Sequence, residues 1–420
     1  MKKISLFFVL FITLIGVHAQ TIQTAPVKPN PTVNYERLKR VDELLNNYIK
    51  EQKIVGAVAL IIKDGQVIKH QGYGMDDVAT KRTMPKDGIF RIASQTKAIT
   101  SVGIMLLIEE GKLLLNDPVS KYIPAFKNPV VLDQYNEKDT TYTTVPARRE
   151  ITIKDLLTHT SGLGYALIGS PRMQAIYYKH GIPSGVGEMH ADISETMQRL
   201  GKLPLEYQPG TRYNYSLSTD VLGHVIEVVS GMDLETFFQK RIFTPLGMKD
   251  TYFNLPVSKH QRLTEVYTLD SLGKWVKFPG IFDIPADFPN KTKRYFSGGG
   301  GLASTALDYG IFLQMLLNKG TYNGVTLLSP RSVAMMTTNQ IGNLGGNFHF
   351  GLGFGITAEA AADEIYNPGT YYWGGAFATT YWVDPQAQLI AVLMSQQFNA
   401  PPAWGELQQK FGVAVYQSLK

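Results

Sequence analysis

The chain has 420 residues, 44% hydrophobic and 18% charged, so it holds ample apolar material for a core and is not disordered, collagenous or coiled-coil. It has no cysteine, which excludes disulfides, zinc–cysteine and iron–sulfur sites, a cysteine nucleophile and a lipid-modified N-terminal cysteine. Its net charge of +6 is dispersed, and the densest basic runs, Arg148-Arg149 and Lys291-Thr292-Lys293-Arg294, are too short to bind nucleic acid as an arm.

Lys2 and Lys3 precede an apolar run from Ile4 to Val17, and Val17-His18-Ala19 offers a cleavage pattern. Residues 1–19 are therefore expected to be a secretory signal peptide, too short in its apolar part to span a bilayer stably. Cleavage removes two lysines and no acid, taking +6 to +4 and leaving Gln20 as the mature N-terminus. No later apolar run is long enough to cross a membrane, so a periplasmic or secreted protein without stable membrane insertion is expected. Export also argues against ATP- and NAD-dependent chemistry.

Residues 20–33 are rich in Pro, Thr and Gln and are expected to form a flexible leader. From Asn34 to Lys50, Leu38, Val41, Leu44, Leu45 and Tyr48 recur at helical spacing, with Asn34 as the cap. Two β-rich runs follow, Ile54 to Lys63 and Gln66 to Tyr73, and the Asp64-Gly65 between them is a hairpin signal. Helical patterns then cover Ser94 to Glu110, Ile153 to Leu157, Ser218 to Val229, Leu234 to Ile242 and Ala303 to Asn318. A second strand pair, Thr379 to Val383 and Leu389 to Met394, turns at Asp384-Pro385-Gln386, and a helix from Ala403 to Leu419 closes the chain. Strands at both ends with helices between them predict an α+β fold, an antiparallel sheet built from about 34–93 and 320–420 with a mainly helical region at 94–319 inserted.

Several catalytic signatures are absent. There is no G-x-S-x-G elbow and no H-E-x-x-H among the eight histidines, so neither an α/β-hydrolase nor a metal site is supported, and no cofactor is expected. Ser297-Gly298-Gly299-Gly300-Gly301-Leu302 lacks the Lys-Ser/Thr of a phosphate loop and reads as a close backbone approach. What remains is Ser94-Gln95-Thr96-Lys97. A spacing of three on a helix puts the lysine one turn from the serine, on the same face. Burial would disfavour the lysine's charge and let it take the serine proton, and a helix N-terminus favours a developing alkoxide. The same spacing recurs at Ser271-Leu272-Gly273-Lys274, where Asp270 and the glycine mark a surface turn.

Beyond that pair, the chain resembles the serine β-lactamase/penicillin-binding superfamily, in its class C-like branch, and is most similar to family VIII carboxylesterases. The likeness rests on ordered blocks: Ser94-Gln95-Thr96-Lys97; Asp155 to Leu163; Pro209-Gly210-Thr211-Arg212-Tyr213-Asn214-Tyr215-Ser216-Leu217; Thr244 to Met248; Gly298 to Ser304; and Trp373-Gly374-Gly375. They span about residues 35 to 415. The resemblance implies a β-lactamase/transpeptidase-like fold with Ser94 as the acylated nucleophile, Lys97 as its proton-accepting neighbour and Tyr215 as the proton shuttle. Tyr213 is the less consistent choice for that tyrosine. The resemblance also implies an oxyanion hole from the backbone N–H groups of Ser94 and Ala376, with Ala376 following a sheet-edge strand. Trp373, Gly374, Gly375 and Leu217 are expected to bind substrate. Leu217 stands where class C β-lactamases keep an asparagine, and Trp373 where they keep a lysine. Both changes favour a neutral, partly hydrophobic substrate. His159, near Ser161, reads as a structural hydrogen-bonder.

The expected function is an exported serine hydrolase acting on small carboxylic esters through an acyl-enzyme, with slow β-lactam opening as a property of some similar esterases. A peptidase or amidase on D-amino-acid or cell-wall substrates, or a β-lactamase, is the alternative. A non-catalytic peptidoglycan-binding relative is the reading from another class, and the joint presence of Ser94, Lys97 and Tyr215 argues against it.

Overall fold

The computed structural model describes residues 21–25, 28–281, 284–359 and 365–420; residues 1–19, expected as a signal peptide, and Gln20 lie outside the described residues. The central sheet has eight strands. Three come from the N-terminal part: β1 (Gly56–Lys63), β2 (Gln66–Asp77) and β3 (Arg82–Thr83). Five come from the C-terminal part: β4 (His349–Phe350), β5 (Gly355–Ile356), β6 (Tyr371–Gly375), β7 (Thr379–Asp384) and β8 (Leu389–Met394). Their order is β4-β5-β6-β7-β8-β1-β2-β3, all antiparallel, and the two chain ends join where β1 pairs with β8 from Val58↔Met394 to Lys63↔Leu389.

The Asp64-Gly65 hairpin forms as expected. Both residues have positive φ, 52° and 71°, the backbone that a two-residue turn matched to strand twist requires. β1 is buried along its whole length because both sheet faces are covered. Ala57, Ala59 and Ile61 point to the outer layer and Val58, Leu60 and Ile62 to the inner one, following the two-residue period of a strand. The outer layer is α1 (Tyr35–Lys50) with the C-terminal helix, whose range is Pro402–Tyr416. α1 buries Leu38, Val41, Leu45 and Tyr48, and Asn34 caps it by accepting from the Arg37 N–H.

The inner layer contains α2 (Thr96–Glu109), where every residue from Thr96 to Leu107 is buried. With it lie α3 (Ile153–Leu157), α4 (Ser218–Ser230), stopped by Gly231 at φ 69°, and α5 (Ala306–Leu317). The C-terminal helix is α6. Two helix starts shift from expectation. Ser94 sits in a 3₁₀ turn, Ala93–Gln95, just ahead of α2. Ala303–Ser304 is extended, because it pairs with Phe90–Arg91, and α5 begins only after Thr305, which accepts from the Asp308 N–H. Residues 21–25 and 28–33, expected as a flexible leader, are seated on the sheet. The Gln23 N–H donates to the Gly65 carbonyl at 2.8 Å, the Val67 N–H to Gln23 at 3.0 Å, and Ile22 is buried. No helix among the described residues is long and apolar enough to cross a membrane.

Candidate active site

Pairing between distant segments assembles the site. Phe90–Arg91 leads directly into Ser94, and its partner Ala303–Ser304 directly follows the glycine run, so Gly298 to Gly301 is laid against α2. The approach is close enough to require glycine. A Cβ at Gly298 would lie 2.6 Å from the Thr219 carbonyl oxygen, and one at Gly299 would fall on the Asp220 carboxylate. The run is thus the tight backbone approach read from the sequence, and it supplies the Gly299 carbonyl to Lys97.

Lys97 is buried. Its Nζ donates to the Gly299 carbonyl at 2.6 Å, to Ser94 Oγ at 3.3 Å and to Tyr165 Oη at 3.3 Å. It also lies 4.7 Å from the centre of the Tyr215 ring, in the range of a cation–π contact. Burial, the largest single influence, pulls the Lys97 pKa down, but Tyr165, Tyr215 and Asp220 together hold it above its ordinary value. This corrects the expectation of a lysine neutralised by burial: the negative and dipolar groups around it outweigh the loss of solvent.

Tyr215 lies in the loop before α4, and His159 fixes that loop. The His159 carbonyl accepts from the Asn214 N–H at 2.7 Å, its Nδ1 accepts from the Ser216 N–H at 3.3 Å, and its ring centre is 4.7 Å from that of Tyr215. Burial, and then Lys97, depress the His159 pKa well below its ordinary value, so it is a neutral acceptor. His159 is the structural hydrogen-bonder expected. Ser161 is turned away to Ser218, at 2.8 Å.

The structure brings Ser94, Tyr215, Trp373, Gly374, Gly375 and Ala376 onto one cavity of about 710 Å³. β6 is not the outermost strand, since β4 and β5 lie beyond it. That corrects the sheet-edge expectation, although pairing with β5 ends at Tyr372 and the Trp373–Gly375 end is unpaired on that side. There β6 meets the Ser94 turn, and a Cβ at Gly375 would fall on the Ile92 carbonyl oxygen. The Trp373 ring packs 5.6 Å from Tyr215 and 5.3 Å from Phe350. A second, closed pocket of about 30 Å³ adjoins Ala376 between Leu167, Val186, Phe278, Ile284, Phe288 and Phe377.

Leu217 does not join them. It is fully buried at the start of α4 with Gly185 over its side chain, and it lines no part of the cavity. The first turn of α4 aims it into the core rather than at a ligand. Ser271 and Lys274 sit in the turn between Tyr267–Leu269 and Trp275–Lys277, where the backbone of Lys274 is tied to Asp270.

Sequence reading missed two members of the site. Tyr165 touches Lys97, yet nothing but its place just after the Thr-His-Thr-Ser-Gly block marks it among 22 tyrosines. Asp220 is completely buried one turn into α4, and burial pushes its carboxyl up to about 6 despite opposing contributions from Ser297, Lys97 and Tyr295. Its spacing of five from Tyr215 was the available signal.

A profile described as Beta-lactamase matches residues 41–409. The chain belongs to that family. It is 29% identical over 375 residues to esterase EstB of Burkholderia gladioli, covering 85% of this chain and 89% of that protein. It is 28% identical over 396 residues to a putative D-alanyl-D-alanine carboxypeptidase of Escherichia coli, covering 88% and 84%. Among solved structures it is similar to EstCE1, described as a hydrolase with promiscuous acyltransferase activity, with a TM-score of 0.79, 28% identity, and coverage of 91% of this chain and 99% of that one. The fold is that of β-lactamases and transpeptidases, and the chain is a serine hydrolase with esterase and carboxypeptidase relatives.

Proposed function

We propose that this protein is an exported esterase that cleaves small, uncharged carboxylic esters through an acyl-enzyme on Ser94. The observation that carries this reading is the placement of Ser94, beside Lys97, on a partly aromatic cavity lined by Trp373 rather than by a carboxylate-binding cation. Ser94 Oγ attacks the ester carbonyl, and the backbone N–H groups of Ser94 and Ala376 receive the oxyanion. Lys97 stays an ammonium and stabilises the negative charge that develops on Tyr215 as Tyr215 relays the Ser94 proton, accepting it while passing its own hydroxyl proton to the alcohol oxygen that departs. The same relay, with water in place of the alcohol as proton donor and Ser94 Oγ as the departing oxygen, releases the acid and restores Ser94. The closed pocket beside Ala376 has room for about one or two water-sized groups, which suits a short acyl chain.

A fluorophosphonate probe with peptide mapping tests the nucleophile, and labelling of any serine other than Ser94 overturns it. Graded p-nitrophenyl esters, nitrocefin and a D-alanyl anilide, assayed side by side, test the substrate class; faster turnover of the anilide would favour the peptidase reading. Export predicts an intact mass beginning at Gln20 for protein recovered outside the cytoplasm, and an unprocessed Met1 form there would refute it.

A further inference from the structure

The cavity at Ser94 extends well past the reacting atoms. It continues around the glycine end of β6 to the outer face of the sheet, where Tyr366, Tyr372, Thr380, Trp382, Trp404 and Gln408 line it. Of these, Tyr366, Tyr372, Trp382 and Trp404 belong to the outer layer, whereas Tyr215 and Trp373 belong to the inner one, so the space wraps from one sheet face to the other. The absence of side chains on Gly374 makes the passage. A Cβ there would meet only the Thr379 carbonyl oxygen, at 2.9 Å, and would otherwise project into open space.

Three features of the outer lobe point to a ligand. The whole cavity, about 710 Å³, is in the range that encloses drug-sized molecules and exceeds what a small ester needs. Four of the residues lining the lobe, Tyr366, Tyr372, Trp382 and Trp404, are aromatic, a lining suited to an apolar or aromatic group. Gly405 lies in the first turn of α6, where glycine is unfavourable, yet nothing lies within 4 Å of the Cβ it lacks. Packing does not require glycine there, and its effect is to leave the lobe open.

We infer that the outer lobe is a subsite for the distal arm of the ester's alcohol, an extended apolar or aromatic chain. This inference rests on the esterase reading and names its substrate more closely. The alcohol rather than the acyl group enters the lobe because Tyr215, which protonates the leaving oxygen, lines this cavity. The acyl side instead meets the closed pocket of about 30 Å³ beside Ala376.

Ethyl acetate and 4-phenoxybutyl acetate are both primary alkyl esters of similar intrinsic reactivity, so their kcat/KM ratio reports binding of the arm. The phenoxybutyl ester is expected to be preferred at least tenfold, and Gly405→Phe, which plugs the lobe, should remove most of that preference. Val413→Phe, on the same helix but outside the lobe and 51% exposed, should change neither rate. A ratio near one in the wild type, or an equal loss on both esters in Gly405→Phe, overturns the inference. So does a stronger preference for a long acyl chain, as in ethyl 5-phenoxypentanoate. Binding of 4-phenoxybutan-1-ol to Ser94→Ala, followed by quenching of tryptophan fluorescence, gives a readout without turnover. It should weaken at least tenfold in the Ser94→Ala/Gly405→Phe protein. Loss of hydrolysis with retained binding confirms the lobe, whereas full hydrolysis by Ser94→Ala refutes the serine mechanism and leaves the lobe's binding test standing.

Discussion

Lys97 Nζ approaches the Gly299 carbonyl oxygen to 2.6 Å but Ser94 Oγ only to 3.3 Å, so its shortest bond is to the backbone and not to the serine hydroxyl. A carbonyl accepts and cannot donate, so this bond favours the charged amine and agrees with the raised Lys97 pKa. Lys97 should therefore remain an ammonium at pH 8. Nitrogen-15 NMR of the lysine side chains can read this directly, and a neutral amine at that pH would reverse the roles given to Lys97 and Tyr215. Lys97→Ala and Tyr215→Phe should each lower kcat by on the order of 10³-fold, and the double variant by little more, since the groups act together.

Asp220 gives the pH dependence. Burial raises its folded-state value from the ordinary 3.8 to about 6. Between those values the folded chain binds a proton that the unfolded chain has lost. The stabilisation is therefore complete below 3.8 and is lost as pH rises through about 6. Asp220→Asn should flatten the stability profile across that window in urea titrations, and should remove any acidic limb near pH 6 from kcat/KM. An unchanged profile in a folded Asp220→Asn protein would show that this carboxyl does not titrate there.

His159 positions Tyr215 but does not exchange protons. His159→Gln keeps a side-chain acceptor and should lower the thermal midpoint while retaining kcat within about tenfold, against the 10²–10⁴-fold typical of losing a general acid or base. A loss as large as that of Ser94→Ala would return His159 to the catalytic set.

Gly375→Ala is expected to be severe, because the added methyl meets the Ile92 carbonyl and the Thr379 hydroxyl. Overpacking of this kind costs about 1–3 kcal/mol. Here the displaced segment also carries Ser94, so kcat should fall by about a hundredfold or more. Circular dichroism melting beside single-turnover kinetics separates the two effects.

Trp373→Lys places a cation where the site now has an indole. For a carboxylate-bearing substrate relative to a neutral one, kcat/KM should rise by about tenfold, the lower end of a charge-assisted hydrogen bond. Because Trp373 packs on Tyr215 and Phe350, absolute rates on both substrates should fall. The ratio isolates the charge, and an unchanged ratio would mean that position 373 does not face a substrate carboxylate.

Much of the architecture was legible in one dimension, because local rules act over a few residues. The Asp64-Gly65 turn, the capped amphipathic α1, the largely apolar and buried α2 and the β7–β8 pair follow from periodicity and turn chemistry. Ser94, Lys97, Tyr215 and the glycine run were legible for a related reason: each sits in a compact motif. Leu217 shows the limit of such reasoning. Its position in a motif suggested substrate contact, but whether a residue at a helix start faces a cavity or the core depends on how that helix is rotated against its neighbours.

The sequence by itself determined the long helices and the two main hairpins, the Ser94–Lys97 spacing, and the absence of any cysteine chemistry, since these depend on residue identity and short-range spacing. Only the tertiary structure decided the state of Lys97, which depends on a carbonyl 202 residues away and on Tyr165, 68 residues away. The same holds for Asp220, whose raised carboxyl comes from complete burial, and for the outer lobe, which exists because β6 and α6 come together across a sheet face. Charge and cavity shape arise from groups converging in three dimensions, and no local pattern encodes that convergence.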